Sequence, residues 1–128
     1  MFKVKDHDPV LVAAYDPVVK ARRKMGIENT DAHHVPQKAL LASDNITAKD
    51  GVVVNINRQK HHSTSTFGKK PAEGVTGLET LKGDLEEIKD ILQKSYGFSE
   101  RQAQSVCRVV TILNKKTRGL LGKHETSN

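Results

Sequence analysis

The chain has 128 residues, 36% hydrophobic and 4% aromatic with no Trp, which suits one domain with a modest, mainly aliphatic core. Its 21 Lys and Arg against 15 Asp and Glu give a net charge of +6, which favours polyanion partners, while the lone Cys107 excludes a disulfide-stapled scaffold. No apolar run approaches membrane-spanning length and Met1 to Asp8 has no signal-peptide pattern, so the expectation is a chain that acts in a reducing cytoplasm, with no membrane partner.

Residues 1–8 read as loose. Pro9 to Met25 reads as one helix with Leu11, Val12, Tyr15, Val18 and Val19 along one side, kinked or split at Pro17. Arg22, Arg23 and Lys24 suit the negative end of its dipole as solvated basics, and Gly26 is a natural stop. Residues 27–37 read as extended, Pro36 disfavouring helix at Val35. A short helical turn is expected at Lys38 to Ala42, a loop at Ser43 to Lys49 and a turn at Lys49-Asp50-Gly51. The β-branched run Val52 to Ile56, with Asn55 interposed, predicts a strand, and Asn57 predicts the N-cap of a helix from Arg58 that carries His61 about one turn in. Ser63 to Gly77 has loop composition.

The last third predicts an antiparallel helix pair. Leu78, Leu81, Leu85, Ile88 and Leu92 form one apolar face, and Asp90 and Lys94 are spaced for an ion pair. Gly97 ends this helix and Ser99-Glu100-Arg101-Gln102 is a capping box for the next. Ala103, Val106, Cys107, Val110 and Leu113 continue as a stripe that makes Cys107 a buried small hydrophobe, and Gly119 and Gly122 close it. The tail from Lys123 reads as disordered. Charge alternates along the chain: 12 basic against 7 acidic residues over 1–72, 3 against 6 over 73–96, and 6 against 2 over 97–128.

Four of the six histidines sit in two adjacent pairs, His33-His34 and His61-His62, at the two ends of the order strand, loop, strand, helix. Neighbours on a strand point to opposite faces, so one histidine of the first pair can bind a metal while the other faces a substrate. Phosphodiester hydrolysis needs that division: a cation to neutralise the phosphate and the leaving oxygen, and a neutral imidazole to take a proton from water. Four adjacent histidines would make a poor tetrahedral zinc site, and no Gly-X-Ser-X-Gly elbow supports a serine hydrolase. His62 suits the surface or a phosphate contact, and His7 and His124 carry no role.

The run Asp31-Ala32-His33-His34-Val35-Pro36-Gln37 is followed by Gly51 to His61 and by Thr64-Ser65-Thr66-Phe67-Gly68. Together these stretches, residues 31–68 and under a third of the chain, resemble the HNH/endonuclease VII nucleases, also called His-Me finger or ββα-metal nucleases. Within that group they resemble the C-terminal toxin domains of bacterial polymorphic effectors named for an Ala-His-His motif. The resemblance implies a small, mainly helical α+β domain, single over 1–128, around a ββα-metal element at about 29–68, with the helix pair at about 78–120. It implies His33 and His61 as metal ligands and His34 as general base, with Asp31 orienting a catalytic histidine or adding to the metal shell. The family's bracing Asn falls on Asn55 or Asn57, with Asn55 carried among the catalytic candidates. Ser65 stands where the colicin-type pattern has a further histidine, so water and phosphate would complete the shell, which suits Mg²⁺ or Mn²⁺ at least as well as Zn²⁺. Lys38, Arg58, Lys60, His62, Lys69 and Lys70 are the candidate nucleic-acid contacts.

The implied function is a metal-dependent endonuclease, DNA ahead of RNA as substrate, acting as an antibacterial toxin. Such a toxin is delivered from the producing bacterium into the target-cell cytoplasm and is silenced in the producer by an acidic immunity protein. The alternatives are an RNase or transfer-RNA nuclease built on the same element, and a non-catalytic basic nucleic-acid-binding module.

Overall fold

In the computed structural model the described residues are 9–36, 40–41, 45–58 and 77–117, with 77–79 described as backbone. They form an α+β arrangement in the order β1 (Leu11–Ala14), α1 (Tyr15–Met25), β2 (Thr30–His34), β3 (Val52–Asn57), α2 (Gly77–Tyr96) and α3 (Glu100–Thr117). The sheet is antiparallel throughout, with β3 in the centre and β1 and β2 at the edges.

The β-branched run becomes the central strand because both of its faces are covered. Val52, Val54 and Ile56 point into a core with Val10, Val35, Leu81, Ile88, Leu92 and other residues of α2 and α3. Val53 points the other way, onto Leu11 and Val18, with Ala13, Tyr15, Ala21 and Ala32 around it. The sheet is thus the middle of three layers, with α1 on one face and the helical hairpin on the other. Ile56, Ile88 and Leu92 are each 0% exposed. Burial of such side chains stabilises by about 1.5–3 kcal/mol each, so the aliphatic core carries the fold without Trp.

The segment expected to be one helix from Pro9 divides differently. Leu11 to Ala14 pair with Asn55 to Val52 as β1, and helix begins only at Tyr15. The apolar spacing of Leu11, Val12 and Tyr15 fits a helix locally, but strand pairing with β3 prevails. Pro17 therefore falls in the first turn of α1, where a missing N–H leaves no helical bond unmade. Ala14 at the N-cap offers no side-chain cap. The loop before β3 supplies the acceptors instead: Tyr15 N–H donates to Gly51 O at 2.9 Å and Asp16 N–H to Lys49 O at 3.2 Å. At the other end Gly26 takes the left-handed conformation, φ 69°, that closes the helix as expected.

The hairpin of α2 and α3 follows the sequence closely. Ser99 Oγ accepts from Gln102 N–H at 3.1 Å, and Gln102 Oε1 accepts from Ser99 N–H at 2.9 Å, completing the capping box. Lys94 and Asp90 pair at 2.9 Å. The buried stripe of α3 is Ala103, Val106, Val110 and Asn114, the last a polar residue where the apolar repeat leads to Leu113. Cys107 is only half-buried, its Sγ 3.6 Å from Leu85 O, and desolvation pushes its thiol above the ordinary value despite the opposing charge of Lys89. Among the described residues no helix is long and apolar enough to cross a membrane.

Candidate functional site

β2 places the first histidine pair at the end of an edge strand. Residues directly opposite in an antiparallel pair share a face. His33 lies opposite Val54 and His34 opposite Val53, so the two imidazoles stand on opposite faces, as alternation predicts. His33, with Asp31, is on the hairpin side, and His34 is on the α1 side. Both are buried, at 6% and 7% exposure.

The seat of His34 is built by α1 and by the loop before β3. Tyr15, first residue of α1, stacks on its ring with centroids 5.4 Å apart and planes 13° from parallel. Ala48 O lies 2.9 Å from Nε2. A carbonyl can only accept, so Nε2 carries the proton and a neutral His34 has its acceptor lone pair on Nδ1. Gly51 forms the remaining wall. A Cβ there would stand 2.9 Å from His34 Cδ2 and 2.7 Å from Leu41 Cδ1. The ring can approach this closely only because that side chain is missing.

The loop that supplies Ala48 and Gly51 is tied down on several sides. Besides capping α1, it is closed by Asp50 N–H and Gly51 N–H donating to Thr47 O at 3.0 and 3.1 Å, and by Thr47 Oγ1 donating to Asp50 Oδ2 at 2.9 Å. The predicted turn at Lys49-Asp50-Gly51 thus serves two ends at once. It starts β3, and it holds the carbonyl that sets the tautomer of His34.

Asn55 is 1% exposed and its amide is engaged on both sides. Asn55 Oδ1 accepts from Arg22 Nη1 at 3.2 Å, and Asn55 Nδ2 donates to Thr30 Oγ1 at 3.0 Å. The same Arg22 nitrogen donates to Thr30 O at 3.1 Å. Asn55 therefore braces β3 against the start of β2 and the end of α1. Of the two Asn positions left open by the sequence, Asn55 is buried and Asn57 half-buried. Arg22 was expected as a solvated helix end; the buried Asn amide draws it inward, and charge-assisted bonds of this kind are the stronger ones. Asn57 ends β3, its N–H donating to Tyr96 Oη at 2.7 Å.

Asp31 accepts from Arg58 Nε at 3.2 Å, the guanidinium side chain being 57% exposed. Arg58 is itself helical, where the helix start was expected, and its N–H donates to Asn29 O at 2.9 Å. His33 and Asp31 are the described donors on the hairpin side of β2. An imidazole with a carboxylate two residues away is donor chemistry compatible with Mg²⁺, Mn²⁺ or Zn²⁺. Among the described residues no group of three or more His, Cys, Asp or Glu could hold a metal ion. The second expected ligand, His61, lies outside the described residues, as do Lys38, Lys60, His62, Lys69, Lys70 and Ser65.

An apolar groove of about 370 Å³ lies along the hairpin between Leu81, Leu85, Lys89, Cys107 and Thr111. Among the described residues it has no histidine in its lining. Comparison with known protein families, with curated proteins and with solved structures gave no match for the chain, so its site is read from its own residues and geometry.

Proposed function

We propose that this domain is a metal-dependent endonuclease of the His-Me finger type, acting on DNA, and that it serves as an antibacterial effector toxin. The observation that supports this best is the seating of His34. Its Nε2–H donates to Ala48 O at 2.9 Å, which fixes the ring and leaves Nδ1 as the proton acceptor.

In this reading His34 takes a proton at Nδ1 from the attacking water. The new bond forms from water oxygen to phosphorus as the bond from phosphorus to the 3′ oxygen breaks. The Ala48 carbonyl, accepting from Nε2, favours the imidazolium that results. His34 then returns its proton to solvent, and the leaving oxygen takes one up. A divalent ion held by His33 and His61 would neutralise charge on the phosphate and on the leaving oxygen. Arg58 grips the backbone of the nucleic acid. Its exposed ion pair with Asp31 is of the kind worth about 0–1 kcal/mol, so a phosphate can compete for the guanidinium.

The test is incubation of the purified protein with plasmid DNA and with total RNA, in Mg²⁺, Mn²⁺, Zn²⁺ or chelator. Cleavage of DNA that stops with chelator is expected. In the same series His33→Ala should weaken Mn²⁺ binding in calorimetry and reduce cleavage. Cleavage of RNA alone would move the substrate to RNA, and binding of either polymer without cleavage would leave a non-catalytic basic module.

A nuclease toxin must be silenced in the cell that makes it. Net charges of +5 over residues 1–72 and +4 over 97–128 suit a small acidic immunity protein, whose association rate should fall as salt rises. Stopped-flow mixing with the product of the adjacent downstream gene measures this. Harmless expression of the isolated domain in bacteria, with no binding by that product, removes the toxin part of the proposal and leaves the nuclease part standing.

A further inference from the structure

The last turns of α3 reach the exit of β2 through one side chain. Asn114 is 1% exposed. Its Nδ2 donates to Val35 O at 2.8 Å, across 79 residues of sequence, and to Val110 O in its own helix at 2.9 Å. Val35 is the residue after His34. Its N–H donates to Val52 O at 2.9 Å, continuing the ladder one step beyond β2. Beyond it Pro36 has no N–H to offer. The peptide before Val35 is thus tied to β3 and the peptide after it to α3.

We propose that Asn114 is a positioning residue for the His33-His34 pair. Two fixed peptides on either side of Val35 set the backbone torsions at Val35, the residue that follows His34, and so hold the strand end from which the imidazole leaves. The two N–H donors of one amide, given to Val110 O and to Val35 O, make the helix a rigid strut for that setting. A Leu at this place would continue the stripe of Ala103, Val106 and Val110 without binding the strand. The proposal deepens the nuclease reading and rests on it for its catalytic consequence, while its structural consequence can be read without any substrate.

The experiment compares Asn114→Ala with Val110→Ala in the full chain. Val110 is 0% exposed on the same stripe, one helical turn away, and serves as a control for lost packing. Histidine side-chain resonances are followed by ¹⁵N-¹H NMR, and single-turnover cleavage is measured at saturating DNA with Mn²⁺. Asn114→Ala is expected to shift the His34 and His33 ring signals and speed exchange of the Val35 amide. It should slow the single-turnover step about tenfold to a hundredfold, the scale of a small misplacement of a catalytic group, with little change in KM. Val110→Ala should lower stability without moving those signals. Should Asn114→Ala fail to fold, Asn114→Leu, which keeps the volume and removes the donor, is read in its place. Unchanged histidine signals in a folded variant overturn the proposal, and so do equal shifts in Val110→Ala. Shifted signals in a protein whose wild type never cleaves nucleic acid sustain the strut and defeat the nuclease reading.

Discussion

Replacing His34 with alanine is expected to lower the cleavage rate by about 10²–10⁴-fold, the range contributed by a positioned general base. That range corresponds to roughly 3–5 kcal/mol of barrier. The expectation follows from the fixed tautomer: with Nε2–H donating to Ala48 O, the variant loses an imidazole whose acceptor lone pair is on Nδ1. His34 is also a buried partner of Tyr15, so the alanine variant gives up an aromatic pair worth about 0.5–1.5 kcal/mol and a hydrogen bond worth about 1 kcal/mol. Lost activity must therefore be separated from lost fold. His34→Asn does this, because its amide can still donate towards Ala48 O but takes up no proton near neutral pH. Both variants should keep the helical circular dichroism of the wild type and bind Mn²⁺ as it does, since the proposed ligands His33 and His61 are untouched. Turnover in His34→Asn within a few-fold of wild type would remove His34 from the chemistry.

The parts of this molecule that were legible in its sequence are those settled by near neighbours. The α2–α3 hairpin is the clearest case. Ser99 and Gln102 cap each other three residues apart, Gly97 takes a positive φ of 70°, and the apolar repeats face inward. Val52 to Ile56 was legible for a related reason, since a β-branched run suits a strand buried on both faces. Alternation alone placed His33 and His34 on opposite faces.

The misreadings share one cause, which is contact with residues distant in sequence. Leu11 to Ala14 carry a helix-like spacing, yet become a strand because Val52 to Asn55 offer a ladder about forty residues on. Arg22 follows the helix-end pattern, yet turns inward because Asn55, 33 residues away, needs a partner. The candidate site divides in the same way. Its imidazoles were visible as residues, whereas the seat of His34 required Tyr15 of α1 to converge with Ala48 and Gly51 of the loop before β3. Asn114 gave no sign at all, since a polar residue at the end of a helix reads as solvated until its strand partner is known.

Gly51→Ala tests that convergence without touching a titratable group. The added Cβ would meet Leu41 Cδ1 at 2.7 Å, His34 Cδ2 at 2.9 Å and His34 Nε2 at 3.4 Å. Gly51 does not have a left-handed backbone, so the obstacle is space, not conformation. None of the neighbours can yield freely. Leu41 is 3% exposed, His34 is held by Tyr15 and Ala48 O, and Gly51 is anchored through its carbonyl to Tyr15 N–H at 2.9 Å. Overpacking of this kind costs about 1–3 kcal/mol. The protein should unfold at lower urea with an unchanged slope, the mark of altered stability without altered compactness. Relief is easiest through the ring, which would move off Ala48 O, so cleavage should also fall, by tenfold or more, at temperatures where the variant is fully folded. Gly83→Ala is the matched control. Its Cβ would meet nothing within 4 Å, and in mid-helix it should raise stability by about 0.5–1 kcal/mol with activity unchanged. If Gly51→Ala loses stability but cleaves like wild type, the ring's contact with Gly51 is packing alone; if it loses neither, the close approach of imidazole to backbone is not a feature of the folded protein.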